Sequence, residues 1–233
     1  KMLLCNLDIY GHDLPLNEHL ILLNDGLIDV KKLKRKKNNA KYFINYKINA
    51  KITRDTATPN FDNFLENASG GNSQVKRRII EFLAYCLLPE NSGKCFFVLG
   101  LAPNSGKSLI ADFLGEIFGS ENVSHVALHD FAKDFSLAPL KNKNLNCSMD
   151  LNSEIVSAKA ISELKNLTGN DPVELNEKFQ PIVKFRCRAK LVFGTNHPIL
   201  LNEYDEAFWD RLIYVPFLHS VPKHKQDKNL LKK

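Results

Sequence analysis

Paired cysteines are the first thing this sequence lacks. Its 233 residues include 5 cysteines, an odd set with no C-x-x-C pair and no metal-ligand spacing, which excludes a disulfide framework and a structural zinc site. Cys5, Cys86, Cys95, Cys147 and Cys187 read instead as small apolar residues within helices and strands, in a reducing, cytoplasmic compartment. Long apolar runs are lacking too. The stretch Cys95–Leu101 is far too short to cross a bilayer, and Lys1–Cys5 carries no signal-peptide cleavage pattern, so no membrane contact is expected. The start at Lys1 and the close in Leu230-Leu231-Lys232-Lys233 read as the ends of a piece of a longer chain.

One segment lacks acidic residues altogether. The net charge is +6, but residues 31–51 hold nine basic side chains (Lys31, Lys32, Lys34, Arg35, Lys36, Lys37, Lys41, Lys47, Lys51), while the remainder carries 23 basic residues against 26 acidic. A solvated hairpin tip and a contact with a polyanion explain such a run about equally well. With 44% hydrophobic residues the chain can bury one substantial core and a smaller attached element.

Residues 11–55 read as short strands and turns: Leu20–Leu23, the turn Asn24-Asp25-Gly26, Leu27–Val30, the basic run, then Tyr42–Ile48. Asn60–Leu65 predicts a short helix, Ala68–Asn72 a Gly-rich break, and Ser73–Leu88 a helix with Val75, Ile79, Phe82, Leu83 and Cys86 on one side. A continuously apolar strand follows at Cys95–Leu99, as expected where both faces of a parallel sheet are covered. Beyond it come a helix at Lys107–Phe118, a strand near Val123–Leu128, a helical stretch near Phe131–Leu137 and a strand at Leu145–Met149. The order continues with a helix at Ala158–Leu167, a hairpin around Val173–Phe185, a strand at Ala189–Gly194 and a helix at Glu206–Leu212. This alternation predicts an α/β fold with a mainly parallel sheet. The expected division is a small β-containing module over 1–58, a helical linker over 59–94, an α/β core over 95–222 and a basic tail over 223–233.

The chemistry concentrates at three strand ends. In Gly100-Leu101-Ala102-Pro103-Asn104-Ser105-Gly106-Lys107-Ser108 a buried strand runs into a loop and then an amphipathic helix, the context in which such a loop binds a nucleotide triphosphate. Backbone N–H groups cradle phosphates, Lys107 reaches the β and γ oxygens, and the Ser108 hydroxyl ligates Mg²⁺. The expected nucleotide contacts are Gly100, Pro103, Asn104, Ser105, Gly106, Lys107, Ser108 and Leu109, with ATP and Mg²⁺ as cofactors. The strand Leu145–Met149 ends at Asp150, which, on a strand beside that of the P-loop, can hold the Mg²⁺ shell or polarise the attacking water. Glu154 in the next loop is a second candidate, with a turn-capping role as its plainer explanation. The apolar strand Leu191–Gly194 ends in Thr195-Asn196, whose amide is placed to orient water near a γ-phosphate.

These strand ends, in this order and spacing, resemble the motor of superfamily 3 helicases, in the phage and plasmid primase-helicase family related to the poxvirus enzyme. Further stretches carry the resemblance: Leu164–Pro172 followed by Lys178, Phe193-Gly194-Thr195-Asn196-His197-Pro198, and Phe208–Phe217. The chain departs from the family pattern at Leu101, where the first loop glycine is usual, and at Asn170, where a second glycine is usual. The resemblance implies an AAA-like α/β ATPase core and ATP-dependent unwinding of single-stranded or forked DNA during replication of a mobile element. It also implies a homo-oligomeric, hexameric ring in a bacterial host's cytoplasm, and a primase domain in the same full-length chain. On this reading Lys107, Ser108, Asp150 and Asn196 form one subunit's site, Arg211 completes the neighbour's as an arginine finger, and Lys178, with Lys165, contacts DNA in the central channel.

A nucleotide-binding switch or scaffold in a replication complex is the alternative; a P-loop kinase is weaker, because no acceptor pocket is discernible. His197 reads as a structural hydrogen-bonder, Trp209 as packing, and Arg186 and Arg188 as a solvated strand face.

Overall fold

Six residues without a charge, Phe96–Leu101, form strand β4 at the centre of the molecule, and both of its faces are buried. The computed structural model describes residues 19–39, 42, 44, 46–53, 57–89, 91–175, 182–227 and 229–232. Before β4 lie three antiparallel strands, β1 (Leu20–Leu23), β2 (Gly26–Asp29) and β3 (Lys34–Lys36), and two helices, α1 (Pro59–Ser69) and α2 (Ser73–Leu87). After it the order is α3 (Lys107–Phe118), β5 (Val123–Ser124), β6 (Leu145–Leu151), β7 (Ile155–Val156), α4 (Ala158–Thr168), β8 (Pro172–Leu175) and β9 (Val183–Arg186). Strands β10 (Lys190–Thr195) and β11 (Leu200–Leu201), helix α5 (Glu206–Arg211) and strand β12 (Leu212–Phe217) complete it.

Five of these strands form one sheet in the order β12-β4-β10-β6-β5, and every pairing in it is parallel. The α/β expectation therefore holds. Side chains alternate across the sheet: Phe97 and Leu99 of β4 face one cluster, Phe96 and Val98 the other. The first cluster takes Ile79, Phe82, Leu83 and Cys86 from α2, Ile110, Leu114 and Phe118 from α3, and Ile21, Leu23, Tyr46 and Ile48 from the N-terminal strands and the segment after them. The second takes Ile161, Leu164 and Leu167 from α4, Phe208 from α5, and Val173, Leu175 and Phe185 from the hairpin β8–β9.

Local sequence fixes most boundaries. Pro59 opens α1, where its missing N–H costs nothing, and Gly70 closes it in the left-handed region at φ +59°. A Cβ at Gly70 would also strike the His219 ring. Asn72 caps α2 by accepting from the N–H groups of Gln74 and Val75, and Ser157 does the same for α4 at Ala160.

Several expectations need correction. Helix α1 runs four residues past Leu65, because Glu66–Ser69 continue the amphipathic turn until the glycines intervene. The strand near Val123–Leu128 is only Val123–Ser124, and the helical stretch near Phe131–Leu137 is two short 3₁₀ turns, Leu128–Ala132 and Ala138–Leu140. Pro139 and the positive φ of Phe135 (64°) and Asn142 (60°) prevent a longer helix. Strand β12 was not foreseen; it occupies the sheet edge, where Pro216 is tolerated.

The basic run is partly answered from within. β3 lies inside it, Lys36 pairs with the buried Asp29 at 2.7 Å, and Arg35 pairs with Asp25. The Lys36 ammonium holds Asp29 below the usual carboxylate range. Cys86, Cys95, Cys147 and Cys187 are free and buried, and burial pushes the thiols of Cys147 and Cys187 up to about 12; Cys5 lies outside the described residues. Among the described residues no helix is long and apolar enough to cross a membrane.

Candidate nucleotide site

Strand β4 continues through Gly100 and Leu101, so the free loop is Ala102–Gly106. Gly100 lies within the strand, where a Cβ would meet Tyr214 at 3.1 Å and Thr195 at 3.5 Å. The loop is braced from behind by the segment that follows β12. Ala102 N–H donates to Phe217 O at 2.9 Å, Val221 N–H to Asn104 O at 2.9 Å, and the Ser220 hydroxyl to Pro103 O at 2.7 Å. Within the loop the buried Ser105 hydroxyl donates to Ala102 O at 2.7 Å.

Gly106 is the N-cap of α3 at φ +95°, a conformation that side chains rarely adopt, and the Phe64 ring lies 2.6 Å from where a Cβ would stand. No side chain caps α3. Its first N–H groups therefore lack intrahelical partners and point, with the positive end of the helix dipole, toward the loop. Such a terminus attracts an anion. Ser108 is exposed at the start of α3, and Leu109 is half-buried.

Lys107 is 7% exposed, and its ammonium donates to Ala102 O, to Ser105 Oγ at 3.3 Å and to Asn196 Oδ1 at 2.8 Å. Burial lowers its pKa, so an incoming anion would find a cation held in a partly dry, oxygen-lined position. Asn196 is held there by Thr195. The Thr195 hydroxyl accepts from His197 N–H at 2.9 Å and reaches the carbonyls of Leu151 (3.0 Å) and His197 (2.9 Å), tying the end of β10 to β6. The side chains of Lys107 and Asn196, predicted separately from two motifs, are thus in contact.

Asp150 is exposed on β6, and its carboxylate has no hydrogen bond or ion pair among the described residues. Its strand was expected beside that of the P-loop, but β10 lies between the two. Long-range pairing decided this, since nothing local in either strand specifies its neighbour. Glu154 is exposed beyond β6, with its N–H donating to Asn152 Oδ1 at 3.1 Å.

Arg211 ends α5, where its Nη1 donates to Ala207 O at 2.8 Å while its buried Nε has no partner among the described residues. Leu212, the next residue, pairs with Phe96 at the start of β4, five residues before Leu101. At a rise of about 3.3 Å per residue, Arg211 stands roughly 17 Å along the sheet from the strand end that delivers the loop. Lys165 of α4 is paired with Asp205 at 2.8 Å. Asp205 also caps α5 by accepting from Phe208 N–H at 2.8 Å. Lys178 lies outside the described residues. Trp209 packs edge-on against Phe208 at 5.2 Å, as expected, and Arg186 is exposed with Nη1 donating to Asn170 O.

Sequence reasoning missed Phe64, which shapes the loop at Gly106, and the brace from Phe217 to Val221. Neither has a local signal. Each acts through a contact made only by folding.

A family model described as a family of unknown function (DUF5906) matches residues 98–211, the stretch from β4 to the end of α5. Replication protein E1 of Human papillomavirus 30 is 30% identical over 149 residues, 61% of this chain and 22% of that protein. The ATP-dependent DNA helicase of Orgyia pseudotsugata multicapsid polyhedrosis virus is 22% identical over 152 residues, 63% of this chain and 12% of that protein. These two relatives are viral proteins, one a replication protein and the other a DNA helicase. The chain spans only 22% and 12% of the lengths of these two proteins. Among solved structures, the apo form of the NrS-1 C-terminal region superposes with a TM-score of 0.59 at 18% identity, covering 75% of this chain and 42% of that one. At that identity the likeness is one of fold, and it agrees with the five-stranded parallel sheet built around the P-loop.

Proposed function

We propose that this chain is an ATP-driven motor that unwinds DNA during replication of a virus, phage, plasmid or other mobile element. The observation that carries the reading is the contact between Lys107 and Asn196 at the carboxyl ends of adjacent strands, beside an uncapped helix N-terminus. In open α/β sheets ligands bind at that end of the strands. Lys107 would hold the β and γ phosphates and Asn196 would orient the attacking water.

The donor set also fits a hard divalent cation, since the Ser108 hydroxyl and the Asp150 carboxylate are exposed oxygen ligands at the same sheet end. Ser108 and Asp150 would hold Mg²⁺, which would neutralise phosphate charge when bound. Glu154, in the loop beyond β6, ranks behind Asp150 for this role.

Arg211 fits a role in a neighbouring subunit's site better than in its own, because it sits at the opposite end of the sheet from its own loop. This supports a ring, for which a hexamer is the proposed form, with a primase elsewhere in the full-length protein. Lys178, which in sequence falls between β8 and β9, is the proposed DNA contact. Lys165 would have to leave Asp205 to share that role.

The test is steady-state ATP turnover with and without single-stranded DNA, alongside strand displacement on a forked duplex. DNA-stimulated turnover with displacement supports the motor. Nucleotide binding without turnover would favour a switch or scaffold instead.

A further inference from the structure

The N-terminal sheet carries far more positive charge than it neutralises. Its two described carboxylates are taken up within the sheet, Asp29 by Lys36 and Asp25 by Arg35. That leaves Lys31, Lys32, Lys34, Lys37, Lys47 and Lys51 exposed, with no ion pair among the described residues. We propose that the turn joining β2 to β3, together with β3, binds the phosphate backbone of duplex DNA without reading its sequence. The inference rests on the nucleic-acid part of the reading above and adds a contact remote from the nucleotide site.

The tip is ordered from within. Its turn, residues 30–33, is pinned to the buried Asp29, whose Oδ1 accepts from Lys32 N–H at 3.0 Å while Oδ2 pairs with Lys36 at 2.7 Å. Leu33 closes the turn in the left-handed region at φ 50°. Strand β3 then runs antiparallel to β2, with Lys34 opposite Asp29 and Lys36 opposite Leu27. Lys31, Lys32, Lys34 and Lys37 are thus carried on a defined frame, with about 10 Å of backbone between Lys34 and Lys37 at the usual strand rise. Beside β3 runs a groove of ≈ 590 Å³ lined by Asn24, Asp25, Arg35, Lys36, Lys37 and Asn38, in which a backbone phosphate would meet cations.

The phosphates of the nucleotide are not the occupant. Ile48 bridges to Leu23 of β1, and the next residue, Asn49, is tied to the last turn of α3. Asn49 N–H donates to Ile117 O at 2.7 Å and its side-chain amide to Glu116 O at 3.2 Å. Lys107 begins the same helix, so the sheet is attached roughly 15 Å from the phosphate loop at 1.5 Å per residue. A separate, extended polyanion fits that distance. Single strands are held by stacking bases on exposed aromatic rings as well as by charge. Among the described residues this module offers no such ring: Tyr46 is buried against Phe118, and Tyr42 is half-buried with the Lys36 ammonium 5.7 Å from its centroid. Lysines alone suit the duplex, which presents about one charge per 1.7 Å of its axis, and contacts to phosphate carry no sequence information.

The experiment titrates a short blunt duplex, in two unrelated sequences, and a single strand of equal length across a salt series. The proteins are the parent chain and the fourfold variant Lys31→Gln, Lys32→Gln, Lys34→Gln, Lys37→Gln; Arg35 and Lys36 stay, because Asp25 and Asp29 are paired with them. The expected result is a loss of about tenfold or more in duplex affinity, with a log–log salt slope shallower by roughly three, alike for both sequences. Single-strand affinity should stay within about threefold of the parent. Thermal unfolding checks the fold, and the pair Lys31→Gln, Lys37→Gln, with about half the change in slope, serves if the fourfold variant is unstable. Parent-like duplex affinity and slope in a folded variant would overturn the contact. So would an equal loss from Lys94→Gln with Lys223→Gln, exposed lysines elsewhere, when set against the pair. Equal losses on duplex and single strand would overturn the preference for duplex. Binding to vesicles of anionic lipid that needs these lysines, with duplex binding indifferent to them, would assign the tip to a membrane instead. DNA-stimulated ATP turnover beside an inert tip would overturn this inference alone, whereas lysine-dependent duplex binding without such turnover would remove the motor and leave the tip standing.

Discussion

The Lys107 ammonium donates to Asn196 Oδ1 at 2.8 Å across 89 residues of sequence, joining the P-loop helix to the end of β10. One hydrogen bond thus couples the group that would bind the phosphates to the group that would orient water. Their substitutions should separate the two roles. Lys107→Ala should abolish both ATP binding and turnover. Asn196→Ala should leave ATP affinity near the parent value, because Lys107 keeps Ala102 O and Ser105 Oγ as partners, while turnover falls by about 100-fold. Equal losses of affinity in both variants would count against this division.

Arg211 should act on a neighbouring subunit. Turnover per subunit should rise with protein concentration, and Arg211→Ala alone should be inactive. Mixing it with Lys107→Ala should restore part of the activity, since some interfaces then combine an intact Lys107 with an intact Arg211. No rescue in rings shown to be mixed would exclude the arrangement.

Lys178→Ala should weaken single-stranded DNA binding and reduce its salt dependence by roughly one counterion for each phosphate no longer neutralised. ATP hydrolysis without DNA should stay near the parent rate. Unchanged affinity across a salt series, in a variant of the same oligomeric size, would turn attention to the basic run at residues 31–51.

Asp205 joins two elements, capping α5 and accepting the Lys165 ion pair. That ion pair, with the bond from Phe208 N–H, holds its carboxyl below the usual carboxylate range. A depressed folded-state pKa gives stability that is present above the unfolded value of about 3.9 and is lost as pH falls through the folded value. Asp205→Ala should therefore lower stability at pH 7 by about 1 kcal/mol from the missing cap and make the remaining stability less sensitive to acid. Denaturant unfolding at pH 7 and pH 3 checks both outcomes.

What could be read from the sequence is what local pattern decides. Helix α3 has the bounds expected, since its apolar period begins at the glycine-lysine step and stops at Gly119. The hairpin β8–β9 likewise lies where Val173–Phe185 alternates. Strand β12 escaped notice because it follows α5 without an intervening loop, and because Pro216 argues against a strand until its edge position is known. The insertion of β10 between β4 and β6 was equally hidden, for register between distant strands leaves no local trace. Of the proposed site residues, Lys107 and Asn196 were identifiable from separate motifs and meet in the fold, whereas Phe64 and the brace at residues 217–221 depend on packing alone.

Phe64 on Gly106 and α2 on the sheet also bear on where this protein can be cut. An expression boundary placed at Cys95 would look sensible from the motifs, yet it would remove Ile79, Phe82, Leu83 and Cys86 from one whole face of the sheet. It would also remove the ring packed against the P-loop glycine. Such a truncated product should self-associate through the uncovered face during purification, so the shortest useful recombinant form begins ahead of Leu20, with the first strand of the N-terminal hairpin.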